Sequence, residues 1–578
     1  MTMMGRRWIV RSFRGLFVAL LFLAALGLAL LGRGAQSQGT AVVSGVVRLA
    51  DGRPATGAWV RSQTTANLAY AAADGSFTLG GLAAGTPITV TAWYPGQKVG
   101  WAAVSPPVGP ITITLRPYDT RDNPAYVWNT SYPDPANPTL GCGHCMAPAF
   151  AEWSDTAHAG SATNRRFFSF YNGTDLAGTA AVPPGYKLDF PDTTGNCATC
   201  HAPGAAYDAA FTTDMNALTN VNREGVFCEF CHKVGAVYLN STTGRPYNNA
   251  PGVLSMRLYR PYPGDQLFFG SLDDVTRRVS YLPLEKKSQF CAPCHQFAFW
   301  NTPIYQSFRE WQESPYAASG VECQTCHMPP GASPTFCLPE KGGLARDPTR
   351  LASHRDLGLK DIAFMQSAVA LTLTLATRAD AVQAQVTLVN VGAGHHVPTD
   401  FPGRNLLLVV TATAAPSSGQ EQAAGQGQAL PLQIGPVVPN WGGDYAGQAG
   451  KGYAKILRDL STGEAPVVNY WKQTLIESDN RIPAFGSDSS VYVFGVPAGT
   501  ARVRVTARLV FRRVFQPLAE RKGWDASDIE LLVREIELPW SSRSYFLPLL
   551  LAESSSSARR NDRAPFSTGH PPTRWRQQ

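Results

Sequence analysis

Ten of the eleven cysteines fall into five C-x-x-C pairs between Cys142 and Cys326. Four pairs are followed at once by histidine: Cys197/Cys200 with His201, Cys228/Cys231 with His232, Cys291/Cys294 with His295, and Cys323/Cys326 with His327. The fifth, Cys142-Gly143-His144-Cys145, is followed by Met146. C-x-x-C-H is the attachment signal for c-type haem: both thiols add across the porphyrin vinyl groups and the adjacent histidine reaches the iron. Structural zinc also uses C-x-x-C knuckles, normally two per ion, but gives no reason for a histidine after the second cysteine four times over. A disulfide framework suits small secreted chains that lack a core. The pattern therefore reads as a multihaem cytochrome c, with four haem c groups and a fifth left open at Cys142/Cys145.

A low-spin haem needs a second axial ligand. Setting aside the four motif histidines, the ten histidines leave His144, His158, His354, His395, His396 and His570.

The elements that position these residues are bounded by composition. A chain of 578 residues, 44% hydrophobic and 16% charged, predicts three or four folded domains, and Gly 53 with Pro 44 predicts many turns. The net charge of +8 is not spread over a folded face. Residues 1–37 contribute +5 and the tail beyond Ala558 contributes +4, leaving −1 for the remainder. No clustered basic surface is available for nucleic acid, and that class is excluded. In residues 1–37, arginines precede an apolar run from Leu16 to Leu31 and Ala35-Gln36-Ser37 offers a small-x-small cleavage site, so the segment reads as an export signal or an uncleaved membrane anchor. The run is short for a spanning helix of ~20 residues. Either form places the protein outside the cytoplasm, in the periplasm, on the cell surface or secreted.

Residues 39–117 read as a small β-sandwich. Val42 to Leu49 is strand-like, Asp51-Gly52 and Asp74-Gly75 mark turns, and Ile88 to Ala92 and Ile111 to Leu115 alternate at period two. Ser44-Gly45-Val46-Val47, Asp51-Gly52-Arg53-Pro54, Gly57-Ala58-Trp59-Val60, Ala73-Asp74-Gly75-Ser76-Phe77 and Gly81 to Gly85 resemble the carboxypeptidase regulatory-like family. That resemblance implies a seven- or eight-stranded sandwich with no catalysis and a spacer or docking role.

Residues 118–357 form the expected haem domain, mostly irregular with short helices near Ala147–His158 and Pro303–Glu313, because porphyrins fill much of its core. Cys197 to Cys228 and Cys291 to Cys323 span similar intervals, and Gly225-Val226 and Gly320-Val321 precede the second motif of each, which suggests two haem pairs on one plan. A second echo joins Glu152-Trp153 to Glu310-Trp311, with His158 opposite Tyr316. With Gly225 to Lys233, Cys291 to Phe297, Ser314 to Ala317 and Cys323 to Pro329, these residues resemble the multihaem c-type cytochromes related to the tetrahaem electron carrier of ammonia oxidisers. The resemblance spans roughly 142–404. It implies His158, His354 (in Ser353-His354-Arg355) and His395 (in Gly392-Ala393-Gly394-His395-His396-Val397-Pro398-Thr399) as distal ligands. His396 is the alternative at its site.

Met146 departs from that pattern, and a fifth haem, a disulfide or a vestigial pair are all open there. His144 is a second candidate distal ligand, and Cys337 has no partner in view. Three distal histidines for four haems leave one iron with an open position. Residues 360–548 alternate at period two in Ala368–Leu375, Val382–Leu388, Leu406–Ala412 and Ala501–Phe511, which predicts a second β-sandwich, with an insertion at 416–428. Its loop 392–399 would present His395 to the preceding domain. Residues 554–578 read as a disordered tail.

The expected fold is thus multidomain: an N-terminal β-sandwich, a haem-packed, mostly irregular and α central domain, and a C-terminal β-sandwich. The leading functional expectation is extracytoplasmic electron transfer to and from redox partner proteins, with no catalytic residue assigned. The alternatives are a multihaem reductase of a small nitrogen or sulfur oxyanion at an open iron, and a homo-oligomeric conductive filament. No C-x-x-C-Lys motif of the kind found in cytochrome c nitrite reductases is present.

Overall fold

A computed structural model describes residues 41–137, 140–331, 333–416, 427–525 and 527–541. The leader at 1–37, the tail at 554–578 and most of the 416–428 insertion lie outside the described residues. The architecture is the one expected: β-sheets at both ends and a cysteine-rich, mixed irregular and helical region between them.

In the N-terminal unit, Ala41–Leu49 pairs antiparallel with Ser76–Leu82 and parallel with Val108–Leu115. This sheet packs on a second one, ordered Leu68–Tyr70, Trp59–Ser62, Ile88–Trp93, Gly100–Val104. Alternate residues Val43, Val47, Phe77, Leu79, Ile113 and Leu115 point inward and meet Val60 and Val90. The close approach of the parallel strands requires glycine at 45, where a Cβ would lie 2.2 Å from the Ile111 carbonyl oxygen.

This sandwich is seated on the haem domain by buried contacts. Arg61 donates to both carboxylate oxygens of Asp273 at 2.8–3.2 Å, and the two side chains are only 11% and 6% exposed. Arg346 holds both oxygens of Asp274 at 2.7 Å, and the Thr64 amide donates to the same carboxylate at 2.8 Å. Beside them, the rings of Trp59, Trp93 and Tyr281 lie 4.9–5.5 Å apart. Arg61→Met would leave Asp273 buried without a hydrogen-bonded cation, its nearest ion-pair partner then being Arg350 at 3.8 Å. The expected cost is about 3 kcal/mol or more in chemical unfolding, the penalty for an uncompensated buried charge, with the 118–137 segment becoming open to proteolysis.

The central region holds only short elements. Helices form at Ala147–Trp153 and Ser307–Gln312, both shorter than expected. The first stops at Trp153, where the indole turns to donate to the Val226 carbonyl.

The C-terminal unit has two sheets. One runs in the order Val369–Thr377, Ala381–Asn390, Ser487–Gly495, Leu432–Ile434. The other runs Thr474–Asp479, Gly450–Asp459, Asn405–Pro416, Thr500–Arg512, Ile529–Pro539. Between them Val382, Ala384, Val386 and Leu388 pack against Leu406, Leu408, Val410, Val505, Ala507 and Leu509. The unit is keyed into the haem domain by two buried lysines. Lys455 donates to the Ile304 carbonyl at 2.9 Å, and Lys522 donates to the carbonyls of Ser169, Thr174 and Val182 at 2.6–3.1 Å. Among the described residues no helix is long and apolar enough to cross a membrane.

Candidate haem-attachment sites

Each C-x-x-C pair folds as one helical turn: Cys142–Cys145, Ala198–His201, Cys228–Cys231, Ala292–His295 and Cys323–His327. One turn brings positions i and i+3 to the same side, so both thiols present to one ligand edge. In three of the histidine-bearing pairs the amide that follows closes the turn onto the first cysteine: His201 to Cys197, His232 to Cys228 and His295 to Cys291, at 3.0–3.2 Å. Met146 closes onto Cys142 in the same way, at 3.0 Å. The irregular pair therefore has the local geometry of its relatives, with a thioether in the place of the imidazole.

Three imidazole pairs face each other across the domain. The ring centroids of His158 and His295 lie 6.4 Å apart, those of His232 and His354 6.5 Å, and those of His327 and His395 6.3 Å. Two imidazoles on one metal, each nitrogen about 2 Å from it, place their centroids about 6.3 Å apart. The spacing is therefore that of an iron held between two rings, and the residues fit the cofactor their cysteines call for. His396, the alternative to His395, faces Glu310 instead, its Nδ1 3.8 Å from the carboxylate.

With Nε2 turned toward a metal, Nδ1 carries the proton and donates outward, which fixes the tautomer and the ring plane. His327 Nδ1 donates to the Leu357 carbonyl at 2.6 Å and His395 Nδ1 to the His396 carbonyl at 3.0 Å. His232 Nδ1 donates to the Phe269 carbonyl at 2.7 Å, and His201 Nδ1 to the Ser161 carbonyl at 3.1 Å. His354 Nδ1 is buried without a partner. Burial, with His232 nearby, pushes the His354 imidazole down to about 4, so its ring is neutral and free to ligate. Burial opposes charge on His232 as well, but Glu285 at 3.6 Å outweighs it and raises that ring to about 9.

The hydrogen bonds also reveal the repeat. Trp153 donates to the Val226 carbonyl at 3.0 Å, and Trp311 to the Val321 carbonyl at 2.7 Å. The Val226 amide donates back to the His158 carbonyl at 3.0 Å, and the Val321 amide to the Tyr316 carbonyl at 2.9 Å. The Cys228 amide meets the Ser131 hydroxyl at 3.2 Å, as the Cys323 amide meets that of Ser288 at 2.9 Å. Glu152 accepts the His354 amide at 2.7 Å, and Glu310 accepts the His396 amide at 3.0 Å. Gly225 must be glycine here, because at φ +67 a Cβ would also lie 2.4 Å from the His158 carbonyl oxygen. The duplicated unit is thus the 142 motif, Glu152-Trp153 and the 228 motif, matched by the 291 motif, Glu310-Trp311 and the 323 motif. The similar intervals from Cys197 and from Cys291 are not the repeat, and the 197 motif is an insertion in the first copy.

Thiols of neighbouring motifs meet: Cys142 with Cys228, Cys291 with Cys323, and Cys200 with Cys294. Cys231 lies close to both Cys291 and Cys294. The motifs therefore run in the spatial order 142, 228, 291, 323, with 197 joining at 291. Cys337 sits beside the irregular pair, where the neighbouring Leu338 amide donates to the Cys145 carbonyl at 2.9 Å.

His201 has a different neighbour. Phe167 stacks on its ring at 4.0 Å, and no second imidazole faces it among the described residues. The Tyr305 and Tyr470 phenols, both pushed up by burial and the former to about 12, lie near Cys200. His570 lies outside the described residues.

Asp356, Asp400, Glu152, Glu310 and Glu285 were not singled out from sequence as chemical groups. Only the Glu-Trp echo signalled two of them.

Residues 141–233 match the family described as cytochrome c554 and c-prime. The central region is a multihaem c-type cytochrome domain. Haem c attaches to it through the C-x-x-C motifs, and proteins of this type are typically extracytoplasmic. Among solved structures, the penta-haem cytochrome c552 from Thermochromatium tepidum is similar at 20% identity and TM-score 0.48, over 69% of this chain and 97% of that one. The outer-membrane decahaem cytochrome OmcA overlaps 30% of this chain and 23% of its own, at 15% identity and TM-score 0.11. The ASH/PapD-like domain of human CEP192 overlaps 31% of this chain and 88% of its own, at 9% identity and TM-score 0.13. None of the three assigns a role to a residue here. No curated protein sequence gave a significant match.

Proposed function

We propose that the chain is an exported electron-transfer protein that holds five haem c groups in a continuous relay and exchanges electrons with redox partner proteins. The reading rests on the three imidazole pairs at 6.3–6.5 Å, because rings so spaced serve six-coordinate irons that pass electrons without binding substrate. Haem supplies one-electron redox chemistry when bound. The chain's residues orient the axial imidazoles, bury them and set neighbouring attachment edges side by side. His158, His354 and His395 are the distal ligands on this reading, and the protein is kin to the tetrahaem carrier of ammonia oxidisers. The N-terminal sandwich, of carboxypeptidase regulatory-like type, acts as a rigidly docked module.

The fifth group belongs at Cys142/Cys145, since that pair occupies the position of Cys291/Cys294 in the repeat and makes the same thiol contact. Intact mass and a pyridine haemochrome count on the exported protein test it. Five haems per chain are expected, falling to four in Cys142→Ala/Cys145→Ala with the three bis-histidine spectra unchanged. A count of four in the parent would remove the fifth site.

One observation favours a second reading. The His201 iron has Phe167 rather than an imidazole beside it, which leaves a position for a small oxyanion, and the half-buried Tyr305 and Tyr470 phenols lie near Cys200 of the same motif. A high-spin signal that shifts on adding nitrite or sulfite would support reduction there.

A further inference from the structure

The three paired sites differ in what holds their outer nitrogens. At four of the motif and facing histidines Nδ1 meets only a backbone carbonyl or no partner, and His232 Nδ1 donates to the Phe269 carbonyl at 2.7 Å with the Glu285 carboxylate further off at 3.6 Å. At the remaining pair both rings meet carboxylates. His158 Nδ1 donates to Asp356 Oδ2 at 2.5 Å, and His295 Nδ1 donates to Asp400 Oδ2 at 3.3 Å.

Both aspartates are delivered by loops that already serve a neighbour. Asp356 follows His354 by two residues, and Asp400 closes the 392–399 loop that carries His395. Each sits in the left-handed region, at φ +44 and φ +59, a conformation that Asp and Asn tolerate better than most residues. Each loop thus gives an imidazole to one site and a carboxylate to the site beside it. Asp400 is buried and its other oxygen accepts the Ser307 amide at 3.3 Å, so the carboxylate is fixed in place. Asp356 makes the shorter of the two contacts.

A carboxylate accepting from Nδ1–H makes the imidazole a stronger donor and favours the more positive metal. We infer that Asp356 and Asp400 act as positioning residues that make the His158/His295 iron the lowest-potential centre of the protein. The 291 motif is also the branch point, meeting the 323 and 197 motifs through its thiols and lying close to Cys231 of the 228 motif. The centre that reduces last thus stands where the 197 site joins the relay, and an electron held there reaches that site with the greatest driving force.

This rests on the proposed ligation of one iron by His158 and His295, and the test separates the two claims. The holoprotein and its Asp356→Asn, Asp400→Asn and double variants would be titrated potentiometrically, following low-spin signals by near-infrared magnetic circular dichroism. Asparagine keeps the backbone conformation and removes the charge. The lowest potential is expected to rise, more for Asp356→Asn than for Asp400→Asn. In the double variant the oxidised-to-reduced ratio at a fixed potential should fall at least tenfold, ~59 mV for one electron, with the other centres unmoved. Unchanged potentials with a full set of low-spin signals would overturn the tuning role. Loss of a low-spin signal in either asparagine variant would also overturn it, in favour of a purely structural clamp. His158→Ala retaining every low-spin signal would instead overturn the ligation itself.

Discussion

His158→Ala is expected to convert one low-spin iron to high-spin and to add one equivalent of carbon-monoxide binding over the parent. His158 is the only imidazole that faces His295 among the described residues, at 6.4 Å, while His144 lies within the Cys142–Cys145 turn and His396 faces Glu310. Its ring is set by two independent holds. The backbone carbonyl accepts the Val226 amide, and Nδ1 is anchored on Asp356. Neither hold can bring a substitute imidazole to the same place, so the position should stay empty or take a small exogenous ligand. On the proposed ligation, the metal would also tie residue 158 to residue 295, closing a long loop as a cross-link does. Its loss should lower stability by something on the order of 3 kcal/mol, read as an earlier thermal transition of the holoprotein. Because the 291 motif is the branch point, electron exchange between the 197 site and the rest should slow in stopped-flow reduction. His144→Ala should leave all of these readouts unchanged.

Much of this could be read in the residues before any coordinates. The strands of both β units announce themselves through alternation, as in Val382, Ala384, Val386 and Leu388 with Gln383, Gln385 and Thr387 between them, because burial on one face of a sheet requires period two. The attachment motifs are equally legible, since their chemistry fixes both residue type and spacing. Which histidines face each other is not written locally. His158 and His295, or His327 and His395, meet through tertiary packing that leaves no periodic trace. Cysteine spacing alone misaligns the repeat for a related reason. Similar intervals between cysteines are cheap to obtain by insertion, whereas the Trp–Val–carbonyl exchange at Trp153 and Trp311 needs a specific fold. Aspartates such as Asp356 and Asp400 look like ordinary turn residues in sequence, and only the Nδ1 contacts distinguish them.

Arg481→Met should be the most destabilising single change in the C-terminal unit, at about 3–5 kcal/mol. Arg481 and Glu310 are almost wholly buried, 3% and 5% exposed, with Nη2 2.8 Å from the carboxylate. Glu310 also accepts the His396 amide and the Thr399 hydroxyl at 3.0 and 3.1 Å, so it pins the loop that carries His395. Methionine fills the volume but strands that carboxylate away from water. Lys455 is the remaining buried cation near it, and burial, reinforced by repulsion from Arg481, holds that lysine down at about 8 against an ordinary value of 10.5. A lysine depressed in this way binds fewer protons folded than unfolded between those values, so in the parent it contributes stability that grows as pH rises from about 8 to 10.5. In the variant Lys455 becomes the counter-ion of Glu310 and its proton is held more tightly. That alkaline gain should shrink or reverse, and comparing unfolding free energies of the two proteins at pH 8 and pH 10 measures the difference. The spectroscopic consequence falls on the His327 iron, whose low-spin signal should weaken as the His395 loop loosens while the His232/His354 signal persists. A variant as stable as the parent, with that signal intact, would show that Asp479 and Lys455 already neutralise the pocket and that the loop is held by its own backbone bonds.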